Sequence, residues 1–307
     1  MTTVVDNAVD ALRADEKVAR RFGVARARKI PDLRAEHGLA HWVEATRGRE
    51  TSRIAFDFGL TGDSYLHNLR ELSLDPARLD ALALSHGHLD HFGGLPDFLR
   101  AHRRAMRRDL PFHGNPDHYL PRWMVREDDR VYLGRLDRGE LTRHDVGVTD
   151  VVHPTVLAEG VLLSGEMQEA EPREAIPPSL RVERDGQIGP DGFIGEQTLV
   201  AHVRDRGLVV VTSCSHRGIV GICRHAVRVT GVAKVHAVIG GFHLSGLDAE
   251  RIDWVVESLR GLGVDHLVPQ HCTGMEAMVR LAVRLPAETV VSSVGSTFSF
   301  GAGGPAR

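Results

Sequence analysis

The stretch ALALSHGHLDHFGGL, residues 81–95, places three histidines and an aspartate within six positions, directly after an apolar run. Each of His86, His88, Asp90 and His91 is costly to bury without a partner. A fold that buries the run before them must therefore supply something they share. Along an extended segment His86 and His88 point to the same side. Asp90 and His91 follow where the chain turns into Gly93 and Gly94, within reach of a second point nearby. Imidazoles with a carboxylate suit Zn²⁺, and also Mn²⁺ or Fe. One ion could be held by His86 and His88 and a second by Asp90 and His91. The ligands still missing must come from later segments.

Those segments exist, because several apolar strands end on a ligand-type residue. SRIAFDFG (52–59) contains Asp57 near its end, and LDALALSH (79–86) ends at the cluster itself. GLVVVTS (207–213) runs into Cys214 and His216, VHAVIGG (235–241) into His243, and DHLVPQH (265–271) ends on His271. A strand end is a rigid platform from which a side chain can be aimed into a cleft. EGVLLSG (159–165) and QTLVAHV (197–203) read as further strands, and amphipathic helices fit 92–106, 218–230, 247–262 and 274–284. Apolar strands interleaved with such helices predict an α/β fold, with helices on the outer faces of a sheet. The Pro- and charge-rich segment 166–196 reads as a long loop, and 8–29 as a charged helical stretch. No linker divides the chain, so 1–307 is expected to be a single domain.

The chain has 307 residues, 42% of them hydrophobic, ample for a core. A formal net charge of −3 gives no basic field for nucleic acid. No apolar run reaches the length of a membrane span, and the start of the sequence lacks the apolar region of a secretory signal. Three separated cysteines without a CxxC pair argue against a disulfide framework. The expectation is a cytoplasmic protein acting on a small-molecule substrate, with no nucleic-acid or membrane partner and the option of a homo-oligomer.

The run His86-Gly87-His88-Leu89-Asp90-His91 resembles the HxHxDH signature of the metallo-β-lactamase superfamily. GLVVVTSCSHRGIVGI (207–222), AVIGGFHLSG (237–246) and VPQHCTGMEA (268–277), with HGLAHWVE (37–44) and LLSGEM (162–167), resemble the branch typified by archaeal dihydropterin-ribofuranosylaminobenzene-phosphate synthases. The resemblance implies a four-layer αβ/βα sandwich with a metal site, usually dinuclear, at one edge. It implies two zinc ions held by His86, His88, Asp90, His91 and His271. His216, in the region where many relatives place a metal-bridging aspartate, is the choice for the remaining ligand, with Cys214 its rival. Asp57 resembles an aspartate that orients a metal histidine through its other ring nitrogen. His243 sits where a substrate-facing histidine is expected.

Residues 1–34 depart from the family pattern as an atypical extension. The implied activity is a metal-dependent hydrolase using a metal-activated hydroxide on a small-molecule ester or phosphoester-type substrate, with Asp90 and His243 as catalytic residues. One alternative is a pterin-methyl transferase releasing pyrophosphate; another is a non-catalytic, metal-dependent metabolite sensor. Arg103, Arg104, Arg107 and Arg108 either hold a phosphate or form a solvated helix face.

Overall fold

Neighbouring residues of the central strands belong to different cores. Ile54 and Phe56 enter one apolar cluster and Ala55 between them another; Ala81 and Ala83 are separated from Leu82 in the same way. Val209 and Val211 join the first of these clusters, while Leu208 and Val210 join a third. Because side chains alternate across a strand, this pattern requires two sheets stacked on a shared core, each with its outer face covered. The computed structural model, which describes residues 1–301 apart from 128 and 175, has that arrangement.

The first sheet has eight strands in the spatial order Ala19–Arg20, Thr297–Phe298, Thr2–Val5, Ala40–Arg47, Glu50–Phe56, Ala81–Ala83, Pro111–Gly114 and Gly147–Asp150. The second has six: Thr155–Ala158, Val161–Leu163, Leu199–Val203, Gly207–Val211, Val235–Gly241 and His266–Gln270. Between them Phe56, Val211, Ile239 and Val268 are buried. Helices Gly62–Glu71 and Leu95–His102 cover the first sheet with Tyr65, Leu69, Phe98 and Leu99. Helices Ile219–Thr230, Ala249–Gly261 and Met275–Arg284 cover the second with Val220, Val255, Leu259 and Leu281. Burying one such Leu or Val is worth about 1.5–3 kcal/mol. The helix–sheet–sheet–helix order is the four-layer sandwich anticipated from the resemblance.

Four segments differ from expectation. The 166–196 segment is not wholly loop. Leu180–Arg184 and Gln187–Pro190 form a hairpin that joins Arg122–Arg126 and Asp129–Gly134 in a small antiparallel sheet. Buried Arg122 anchors it by ion pairs to Asp117 and to Asp191 at 3.0 Å. The helix expected at 92–106 splits into Leu89–Phe92, Leu95–His102 and a short 3₁₀ turn. The break falls at Gly93 and Gly94, where a Cβ would collide with the carbonyl oxygens of Leu60 and Phe58.

The only helix within residues 8–29 is the short Val24–Ala27. Asp10 caps the amides of Leu12 and Arg13, and Ala19–Arg20 pairs with Thr297–Phe298, so tertiary pairing overrides helical propensity. The atypical extension supplies a strand of the first sheet: Thr2–Val5 lies between Ala40–Arg47 and Thr297–Phe298.

Candidate metal centre

Strands Glu50–Phe56 and Ala81–Ala83 run parallel, as do Gly207–Val211, Val235–Gly241 and His266–Gln270. Asp57, His86, Cys214, His243 and His271 therefore all emerge just beyond carboxyl ends of parallel strands, where open α/β sheets form their clefts. Four residues at this edge have left-handed backbones: Asp57 (φ 63°), Ser215 (66°), His243 (47°) and His271 (46°). Such conformations cost on the order of 1–3 kcal/mol each in a non-glycine residue, and persist only where surrounding contacts impose them.

Asp57 shows how they are imposed. Its fully buried carboxylate accepts hydrogen bonds from Ser85 N and Ser85 Oγ, each at 2.7 Å, from His91 Nδ1 at 2.8 Å, and from Ser213 Oγ. Three segments from both sheets thus converge on one anion. The bond to Nδ1 turns the other nitrogen of His91 inward, to 3.2 Å from Cys214 Sγ and 3.6 Å from Asp90 Oδ2.

The ligand-type side chains form a row. At one end are His86, His88 and His216, each with a ligand atom within 4.8 Å of the others. At the other are Asp90, His271 and His37, with Asp90 Oδ2 3.3 Å from His271 Nε2 and 3.4 Å from His37 Nε2. Cys214 lies between, grouped with His86 and His91 on one side and with His271 and Cys272 on the other. The structure thus brings both rivals, His216 and Cys214, to the centre. His216 stands at an end and the thiol in the middle. His243 lies beyond His216, its ring 4.3 Å away. Arg103 and Arg107 are turned elsewhere: Arg103 donates to the carbonyls of Arg107, Arg108 and Asp145, and Arg107 pairs with Asp109.

With the exception of His91, the electrostatics favour neutral imidazoles around a charged carboxylate. Burial, reinforced by neighbouring histidines, pushes His86 and His216 well below the ordinary histidine value. Burial pushes His88 down to about 3 and His271 down to about 4. Burial would raise Asp90, but His91 and His271 hold its carboxyl far below the usual range. Burial also opposes charge on His91, yet Asp90 and Asp57 together raise it. Burial drives the Cys214 thiol well up.

Lone pairs therefore face one another here with few protons between them. His86 Nε2 and both ring nitrogens of His216 are buried and lack any hydrogen-bond partner, an expensive condition in a protein interior. A cation among them removes that cost, and three nitrogens, a thiol and a carboxylate match the donor preferences of zinc. The residues present fit a metal.

Several contributors were not singled out from the sequence. Phe193 stacks on His216 at 3.9 Å, and Glu196 accepts from the amides of His216 and Arg217 at 3.0 Å each. Both lie in the segment read as loop. Ser85 and Ser213 were legible as polar residues ending apolar runs beside ligand-type residues. His37 and Cys272 lie in the HGLAHWVE and VPQHCTGMEA stretches, where nothing in the sequence alone assigns them a role.

The family model of the metallo-β-lactamase superfamily matches residues 43–271. The 7,8-dihydropterin-6-methyl-4-(β-D-ribofuranosyl)-aminobenzene-5′-phosphate synthase of Methanocaldococcus jannaschii is 30% identical over 251 residues, 79% of this chain and 83% of that protein. An uncharacterised protein of the same archaeon is 24% identical over 251 residues, 81% of this chain and 88% of that one. The crystal structure of a metal-dependent hydrolase of the β-lactamase superfamily shares the fold with a TM-score of 0.74 at 24% identity, covering 97% of this chain and 98% of that one. A signature at the end of a buried strand, a four-layer sandwich and these matches agree: the chain belongs to the metallo-β-lactamase superfamily.

Proposed function

We propose that this protein is a metal-dependent hydrolase with a dinuclear, zinc-type centre acting on a small-molecule ester or phosphoester. The observation that carries the reading is the row of buried imidazole nitrogens, unpartnered at His86 and His216, that continues through Cys214 to Asp90 and His271. His86, His88 and His216 would hold one ion and Asp90, His91 and His271 the other, with Cys214 between them. Two divalent ions in such a site supply Lewis acidity and acidify a water.

The chain's own residues do the rest. Asp57 orients His91, and the Ser85 and Ser213 hydroxyls keep Asp57 in place. Asp90, kept ionised by the histidines around it, can orient the attacking group by accepting a hydrogen bond from it through an oxygen not engaged elsewhere. His243, only partly buried at the mouth beside His216, is placed to contact the substrate oxygen that gains charge. Phe193 stacks on the His216 ring and shields that face from water.

A second reading, transfer of a pterin-methyl group with loss of pyrophosphate, is favoured by the 30% identity to the archaeal synthase. The same residues would then grip a diphosphate leaving group. Elemental analysis of protein purified without added metal, followed by assays of phosphodiesters, carboxylic esters, thioesters and lactones with and without chelator, separates these readings. About two metal ions per chain and chelator-sensitive hydrolysis support the hydrolase. Metal without hydrolysis, but with pyrophosphate release from a pterin-methyl diphosphate, supports transfer. Absence of metal from fresh protein that also takes up none defeats both.

A further inference from the structure

His271 is held in its left-handed conformation by two residues from the opposite end of the sequence. Buried Asp6 accepts from His271 N at 3.0 Å and from Asn7 N at 2.8 Å. Asn7 Oδ1 lies 3.0 Å from His271 Nδ1, and Asn7 Nδ2 donates to the His271 carbonyl at 3.4 Å. Gly38 N, next to His37, also donates to Asn7 Oδ1 at 3.4 Å. With one end of the amide turned to a carbonyl and the other receiving a backbone N–H, the group must present its oxygen to the ring. An amide oxygen only accepts, so Nδ1 carries the proton. Nε2, 3.3 Å from Asp90 Oδ2, is then the nitrogen turned into the centre, the one whose lone pair a bound ion would take.

We propose that Asn7 is a positioning residue of the metal centre, its side-chain oxygen setting the tautomer and ring angle of His271 so that Nε2 faces the ion. The proposal rests on the metal-centre reading above. It also gives the first residues of the chain, which the sequence left as an extension of no stated use, a part in the site.

Asn7 is open to solvent. If its side chain is removed, water takes its place, and water donates as readily as it accepts. The ring then has no dictated tautomer, and a share of His271 presents an N–H where a ligand needs a lone pair. The corresponding post behind His91 is the carboxylate of Asp57, which strengthens its ring as a donor. Asn7 is neutral and lends no such charge, so His271 is the weaker donor of the two.

The test begins on metal-free protein with ¹⁵N-labelled histidine, where nitrogen shifts report the tautomer directly. The expected pattern is His271 protonated at Nδ1 and bare at Nε2 in wild type, averaged in Asn7→Ala, and retained in Asn7→Asp, which keeps an acceptor oxygen. On zinc-loaded protein, Asn7→Ala should surrender one equivalent to a chelator about 10–100-fold faster than wild type, and Asn7→Asp no faster.

A wild-type ring protonated at Nε2, or an Asn7→Ala protein that keeps both the tautomer and its zinc, overturns the proposal. If Asn7→Ala does not fold, the wild-type and Asn7→Asp measurements decide. Protein that shows the Asn7-dependent tautomer but binds no zinc overturns the metal-centre reading alone, leaving the hold of Asn7 on the ring established.

Discussion

At the scale of single residues, Asp57 concentrates the most consequence in the fewest atoms. Its two oxygens accept four hydrogen bonds, from Ser85 N, Ser85 Oγ, Ser213 Oγ and His91 Nδ1. Asp57→Asn keeps one acceptor oxygen and introduces an NH₂ where only donors point, so buried donors lose their partner. At about 1–3 kcal/mol for each buried polar group left unsatisfied, the variant should lose several kcal/mol in urea unfolding of the metal-free protein. Because His91 is then no longer held by a charge, the zinc count should also fall. A variant that unfolds like wild type with its full metal content would show that the carboxylate is dispensable. The pattern also explains why the cluster was so readable: four polar groups at the end of a buried strand have few other uses. His37 was harder, being exposed and far from the signature, and only the fold places it beside Asp90 and His271.

At the scale of elements, the N-terminus of helix Ile219–Thr230 carries its own titratable cap. Glu174, buried, accepts from Ile219 N at 2.8 Å and Val220 N at 3.0 Å, and burial pushes its carboxyl up to about 7 despite those bonds. Between about pH 4.5, the ordinary value, and pH 7, the folded chain holds a proton that the unfolded chain has released. The contribution of this group to stability is thus full below pH 4.5 and declines as pH rises through 7. At about 1.4 kcal/mol per unit the loss is at most about 3.5 kcal/mol. Glu174→Gln should flatten that part of the pH–stability curve, measured by thermal unfolding. An unchanged slope would remove Glu174 from the account.

Legibility at this scale followed burial. Val235–Gly241 has the limits read from its apolar run, and the helices on either side of it, Ile219–Thr230, Ala249–Gly261 and Met275–Arg284, shift by no more than two residues. The hairpin at 180–190 escaped because its strands are half exposed and lack an apolar run. The strand Thr2–Val5 escaped because four residues carry little pattern, and its partners lie at Trp42 and Thr297.

At the scale of the molecule, the two sheets supply different parts of the centre. Residues 86–91 follow a strand of the first sheet, while Cys214, His216 and His271 follow strands of the second. A ligand that binds only the folded state stabilises it in proportion to its excess: about 2.7 kcal/mol at a hundredfold over the dissociation constant. Zinc should therefore raise the melting temperature of metal-free protein, and His216→Ala should lose part of that gain. Equal melting with and without zinc would deny the link. None of the helices among the described residues is long and apolar enough to cross a membrane.

By the metal-centre reading, an ion among residues 86–91 and 214–271 would act as a rivet between two leaves joined face to face. Away from it the leaves are held by side-chain packing such as Ile54 against its neighbours; at this edge the ion would add coordination to the hydrogen bonds that Asp57 accepts from Ser85 and Ser213. Chelation should accordingly open the protein like a book from its fore-edge. Amides at 82–85 and 208–213 would exchange hydrogen sooner, while the covering helix around Val255 and Leu259 stays protected.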